Sequence, residues 1–92
     1  MVVLRIEHPV PDYERWKDAF DRDPVDRRGS GVRRYSIMRA VDDPNYVVID
    51  TEFDTTAEAE AMLTALRELW SRVDVMHDPQ TRIVELTETT EY

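Results

Sequence analysis

Few side chains in this sequence can do chemistry, and their types limit what that chemistry can be. His8 comes first, because an imidazole titrates near neutral pH and can accept a substrate proton under working conditions. It closes a segment in which Val2, Leu4, Ile6 and His8 alternate with Val3, Arg5 and Glu7. On a strand, that alternation puts His8 on an otherwise apolar face, at the mouth of any pocket the face lines. The plainer alternative is a partly exposed strand-end histidine ahead of Pro9. Tyr13 and Trp16 follow at helical spacing. A phenol O–H and an indole N–H can each bind a substrate oxygen, although aromatic stripes usually serve packing. Tyr35 and Arg39 share one face of a later strand. If that face looks into a pocket, Arg39 can stabilise an enolate or peroxide-like oxyanion, with Tyr35 orienting it. If it looks toward a partner chain, Arg39 pairs with Asp50 or Glu7, as buried charges require.

The remaining candidates carry less. His77-Asp78 follows the second helix, where a helix dipole alone favours histidine. With only 2 histidines and no H-x-x-x-H or H-E-x-x-H spacing, no dedicated metal site is expected. Arg27-Arg28 offers a local anion clamp, against the simpler reading of solvated surface charge. There is no cysteine, which excludes thiolate catalysis, disulfides and cysteine-ligated metal centres. Ser30, between Gly29 and Gly31, lacks the helix-opening context of a nucleophile elbow. No phosphate-cradling glycine motif occurs. No cofactor is expected.

The elements that must position these residues are readable from periodicity. Residues 2–8 form a strand, ended by Pro9 and Pro11. Asp12 is an N-cap, and Tyr13, Trp16, Ala19 and Phe20 make one helical stripe. Asp23-Pro24 breaks the helix, and a short helical turn continues over 25–28 before Gly29 and Gly31. Residues 32–41 form a second strand, and Asp42-Asp43-Pro44-Asn45 is a turn signal, with proline suited to position i+1 of a turn and asparagine after it. Residues 46–53 complete a hairpin. Thr55 and Glu58 form a capping box ahead of the stripe Ala59, Met62, Leu63, Leu66, Leu69, Trp70 and Val73, with Trp70 expected to close the core. A loop over 74–79, a strand over 81–87 and an acidic tail follow. The order is βαββαβ in one domain over 1–92. This is the α+β, ferredoxin-like plan, with a four-stranded antiparallel sheet and two helices on one face.

The chain has 92 residues, with 12 Lys and Arg against 20 Asp and Glu, for a net charge of −8. That balance argues against binding nucleic acid or an anionic membrane surface. No apolar run approaches the roughly 20 residues of a membrane helix. Met1 leads directly into a strand-like segment, so no signal peptide is expected and the expected location is the cytoplasm. A chain this short buries only about 60–65% of the surface its unfolded form exposes. Two helices cover one sheet face and leave bare the face carrying Val3 and Val48 among Arg5, Glu7 and Asp50. A second copy packed sheet to sheet is the simplest cover.

The run His8-Pro-Val-Pro-Asp12-Tyr13-Glu-Arg-Trp16-Lys-Asp-Ala-Phe20-Asp, with Gly31-Val-Arg-Arg-Tyr35-Ser-Ile-Met-Arg39-Ala-Val-Asp42-Asp43-Pro44-Asn45 and the following Val47-Val48-Ile49 and Glu52-Phe53-Asp54, resembles the dimeric α/β-barrel superfamily. Within it, the sequence is similar to the small antibiotic-biosynthesis-monooxygenase-like proteins. The resemblance implies a homodimer with sheets face to face and a pocket between sheet and helices. Some members oxygenate polycyclic aromatics without metal or flavin, others degrade haem, decompose chlorite or cyclise polyketides, and many have no known activity. In the aromatic-oxygenating members Trp and Tyr line the pocket, which implies that role for Tyr13 and Trp16.

Two functions follow as expectations. One is a cofactor-independent monooxygenase acting on an aromatic or polyketide-like molecule. In it His8 accepts the proton, Trp16 and Tyr35 position the substrate, and Arg39 stabilises negative charge. The other is a non-enzymatic, small-ligand-binding or structural homodimer. A pocket packed solid by Trp16, Phe20 and Trp70 favours the second, whereas a cavity of at least about 300 Å³ reached by His8 favours the first. Haem binding through His8 or His77 ranks below both.

Overall fold

The computed structural model describes residues 1–73 and 78–92; His77 lies outside them. Its elements are β1 (Val2–Pro9), α1 (Tyr13–Asp21), β2 (Arg34–Ala40), β3 (Asp43–Phe53), α2 (Thr56–Trp70) and β4 (Gln80–Glu85). The strands form one antiparallel sheet in the order β2-β3-β1-β4, the ferredoxin-like arrangement expected from the element order.

Strand register sorts the side chains into two faces. His8 pairs with Val47, Ile6 with Ile49 and Leu4 with Thr51. Arg39, Ile37 and Tyr35 continue those rows on β2. This is the helix-covered face, and Leu4, Val47 and Phe53 on it are fully buried. The opposite face carries Val3, Arg5, Glu7, Met38, Val48, Asp50, Glu52, Arg82 and Val84 in the alternate rows. Its charges are largely matched within the chain. Arg5 grips Asp50 with two hydrogen bonds of 2.8 and 2.7 Å, Arg34 grips Glu52 at 2.6 and 3.1 Å, and the Tyr46 hydroxyl donates to Glu7 at 2.9 Å. Met38 and Val84 remain exposed beside them.

The helices begin where the sequence marks them. Asp12 caps α1 by accepting from the Glu14 amide at 3.0 Å. Thr55 and Glu58 complete the reciprocal capping box of α2. Two local expectations fail. The hairpin turn is Val41-Asp42 rather than 42–45, because β3 starts at Asp43. Asp43, Pro44 and Asn45 fall in a register shift after Arg39, where Pro44 has no ladder bond to lose. There Asn45 ties the sheet to α1. Its carbonyl accepts from the Val10 amide at 2.7 Å, and its side-chain oxygen accepts from the Tyr13 amide at 3.1 Å. Residues 25–28 form turns, not a helical turn, with Asp23 and Asp26 in the left-handed region.

The core divides in two. Leu4, Ile6, Phe53, Ala59 and Met62 pack beneath α2, while Val10, Val47 and Ile49 pack beneath Tyr13, Trp16 and Phe20 of α1. No residue of α1 is fully buried, and α1 and α2 nowhere bring their Cα atoms within 8 Å of one another. No helix among the described residues is long and apolar enough to cross a membrane. Gly31 has φ of 97° and sits where a Cβ would run into the Glu58 carboxylate, so loop and capping box are packed as one unit. Thr55→Ala is expected to cost about 1 kcal/mol through the cap, and Gly31→Ala about 1 kcal/mol or more through its backbone. Urea denaturation at fixed protein concentration measures both, and a combined loss smaller than the sum is the expected sign of their coupling.

Candidate active site

The gap between the helices is a cavity of about 360 Å³. Its floor is the helix-covered sheet face, with Ile6 and His8 from β1 and Ile49 and Thr51 from β3. Trp16, Ala19 and Phe20 of α1 form one wall, and Met62, Leu66, Leu69 and Trp70 of α2 form the other. Arg22, Val25, Arg27 and Val73 contribute at the ends of the helices and in the loop that follows α1. The apolar stripe of α2 therefore does two jobs. Ala59 and Met62 are buried against the sheet, whereas Trp70 is only half-buried and also lines the cavity. It does not simply close the core.

Among the described lining residues, His8 is the one side chain that can exchange a proton near neutral pH. The residue is 2% exposed, so it is far more enclosed than a strand-end histidine need be. Its Nδ1 lies 3.0 Å from the Pro9 carbonyl oxygen. A carbonyl only accepts, so Nδ1 carries the hydrogen and Nε2 keeps its lone pair. Nε2 has no hydrogen-bond partner among the described residues, and His8 is one of the residues that line the cavity. Burial holds the imidazole pKa below its ordinary 6.5, partly opposed by the bond to Pro9. At neutral pH the ring is uncharged, with its basic nitrogen available.

An aromatic series extends from His8 along α1. The imidazole meets Trp16 edge-on at 6.3 Å, Trp16 meets Phe20 at 5.2 Å, and Phe20 meets Tyr35 edge-on at 5.1 Å. The other expected site residues lie off the cavity. Arg39 shares the sheet row of His8 with Val47 between them, about 10 Å away across two strand spacings. Its guanidinium stacks 3.9 Å over the Tyr13 ring and donates from Nε to the Pro44 carbonyl at 2.9 Å. Neither branch of the Arg39 expectation describes this. Asp50 is held by Arg5 and Glu7 by Tyr46, both on the opposite face. Tyr13 and Tyr35 flank the aromatic series without lining the cavity.

Arg27 is the lining residue that solvated charge does not describe. Its side chain is 15% exposed, and its guanidinium lies 3.9 Å from the Phe20 ring centroid and 5.0 Å from that of Tyr35. The signal for it was weak, a cation in an aperiodic loop just after an aromatic helix. No group of three or more metal-ligating side chains is assembled among the described residues.

His8 makes a testable contribution to stability. Unfolding returns its raised affinity for protons, so the unfolded chain protonates first as the pH drops. The stability it supplies is complete above pH 6.5 and is lost as the pH falls below that value toward the lowered folded one. The urea midpoint is expected to fall between about pH 7 and about pH 5 in the wild type and to fall less in His8→Gln. Equal slopes would mean that the imidazole is not held neutral.

No protein-family model and no curated protein sequence matches the chain. Solved structures do. A point variant of SnoaB, a cofactor-independent oxygenase from Streptomyces nogalater, superposes with a TM-score of 0.74 at 15% identity, covering 96% of this chain and 94% of that one. A Deinococcus radiodurans protein provisionally named an antibiotic biosynthesis monooxygenase gives 0.73 at 14% identity, covering 100% and 98%. A dimeric ferredoxin-like protein from an uncultured marine organism gives 0.63 at 16% identity, covering 99% and 96%. At these identities the likeness is one of architecture. The chain has the ferredoxin-like fold that these structures share.

Proposed function

We propose that this protein is a homodimeric, cofactor-independent monooxygenase acting on an aromatic or polyketide-like small molecule in the sheet–helix cavity. The observation that carries the reading is His8: a neutral imidazole, its Nδ1 bonded to Pro9 so that Nε2 is the basic atom, on the floor of a largely apolar cavity of about 360 Å³. Such a site suits chemistry in which the substrate supplies the electrons. Nε2 takes a proton from an acidified C–H or O–H, and the resulting carbanion or enolate reduces dioxygen. Carbon–oxygen bond formation and loss of water then convert a CH₂ to a C=O, one dioxygen yielding that oxygen and one water. The protein has to deprotonate, orient and keep bulk water out, and Trp16 and Phe20 offer flat apolar surface for orientation. The oxygenase name of a structural neighbour supports the class of reaction.

The homodimer rests on the bare sheet face. Its exposed Met38 and Val84 lie on a face where Arg5 and Arg34 are already matched to carboxylates, which lowers the cost of covering them. A structural neighbour is described as dimeric. Light scattering is expected to give twice the chain mass of 10.9 kDa, shifting toward one chain mass in Val48→Lys. A wild-type monomer would contradict the pairing.

Activity is tested by oxygen uptake with a panel of polycyclic hydroxyaromatic compounds. For any compound turned over, His8→Ala is expected to lower kcat/KM by about 100-fold or more. Wild-type activity should decline on the acid side as His8 protonates. A His8→Ala variant with full turnover would remove the proposed base.

A further inference from the structure

The cavity has a charge preference that its apolar character hides. In a chain with 20 acidic residues against 12 basic ones, the described lining residues include Arg22 and Arg27 and no carboxylate at all. Arg27 is the built cation of the two. Its guanidinium is wedged against Phe20 and Tyr35 and donates one hydrogen bond, from Nη1 to the Phe20 carbonyl at 2.9 Å. Asp23 forms an ion pair with it, 3.5 Å from Nε, through the same oxygen that accepts from the Arg27 backbone amide at 2.9 Å. A guanidinium carries five N–H donors, so most of those on Arg27 remain unused among the described residues.

Arg27 also borders a second space of about 350 Å³, beyond the cavity, together with Arg28, Arg33, Arg34 and one carboxylate, Asp23. Arg33 and Arg34 there are matched by Asp54 and Glu52. Arg28 has no ion-pair partner among the described residues. An excess of positive charge thus extends outward from the cavity on one side, through the residue that borders both spaces.

We propose that the cavity takes an aromatic organic anion, with its flat apolar body along Trp16 and Phe20 and its acidic group bound by Arg27. This deepens the reading of the cavity as a ligand site and depends on it. A fixed cation with free donors at the edge of an apolar cavity holds a carboxylate, phenolate or sulfonate oxygen by charge-assisted hydrogen bonds. The cation–π contacts keep the guanidinium in place before the ligand arrives. Neutral His8 adds no competing charge. Arg27 then acts in orientation and selection, separate from proton transfer.

Two fluorescent probes with one skeleton test this: neutral N-phenylnaphthylamine and its sulfonated analogue, anilinonaphthalene sulfonate. The wild-type protein is expected to bind the sulfonate about tenfold or more tighter than the neutral probe. Arg27→Gln should bring the two affinities together while leaving the neutral probe within about twofold, and Arg27→Lys should keep part of the preference. Neutral-probe binding as tight as the sulfonate in the wild type would overturn the role of Arg27 and leave the cavity standing as a ligand site. A sulfonate preference that persists in Arg27→Gln would do the same. Failure of both probes to bind would overturn the anion site and the cavity reading together. The wild-type comparison needs no variant, so equal binding of the two probes overturns the proposal even if Arg27→Gln does not fold, and Arg27→Lys then reads the contribution of that residue.

Discussion

Helices of nine and fifteen residues must cover one face of a four-stranded sheet, and they do so with their Cα atoms held more than 8 Å apart. The rest of the structure depends on that spacing. Packed together, the helices would build one continuous core and leave no room for a guest. Held apart, they split the core into two clusters anchored at opposite ends of the same strands. The sheet floor between them stays open, and the aromatic side chains of α1 become walls. Half-burial of Trp16, Phe20, Leu66 and Trp70 follows, because each faces packing on one side and the cavity on the other. The apolar surface left unburied there is a stability cost that a short chain can sustain only if its other elements are well secured. The full capping box of α2 and the Asn45 brace on α1 are such devices.

The same economy fixes His8. Pro9 directly follows it and lies in an extended segment tied to β3 through Asn45, so the carbonyl that holds Nδ1 belongs to braced backbone. That bond sets the tautomer, and burial keeps the ring neutral. Proton acceptance thereby comes from the backbone and from desolvation, with no carboxylate partner among the described residues. An acidic chain keeps its carboxylates outside: on helix surfaces, in cross-strand pairs on the opposite sheet face, and in the tail. The net charge of −8 therefore coexists with a cavity whose described charged residues are both arginines.

Much of the fold was legible because alternation in strands and the Thr55–Glu58 cap are local signals with direct physical causes. Val2, Leu4, Ile6 and His8 face one way simply because side chains alternate along a strand. Asp42-Asp43-Pro44-Asn45 misled for a long-range reason. Pairing of Pro9 with Tyr46 extends the ladder beside it, so the proline is absorbed into a register shift instead of starting the turn. The site was legible in part. His8 and Trp16 follow from faces, and faces are readable. Arg39 has the right face and the row of His8 but stands two strands away, since which strands lie between two residues is decided by sheet order. Arg27 sits in a loop without periodicity. Its placement depends on the chain returning past Phe20 to reach Tyr35, which no spacing rule expresses.

The central claim is that His8 is a neutral base with its free nitrogen in the cavity. Nitrogen NMR of the labelled imidazole, assigned by comparison with His8→Gln, tests it most directly. The account predicts a protonated Nδ1 and an unprotonated Nε2 at neutral pH, with the Nε2 resonance shifting when a naphthyl ligand is added. A ring protonated on Nε2, or an imidazolium at that pH, would contradict it.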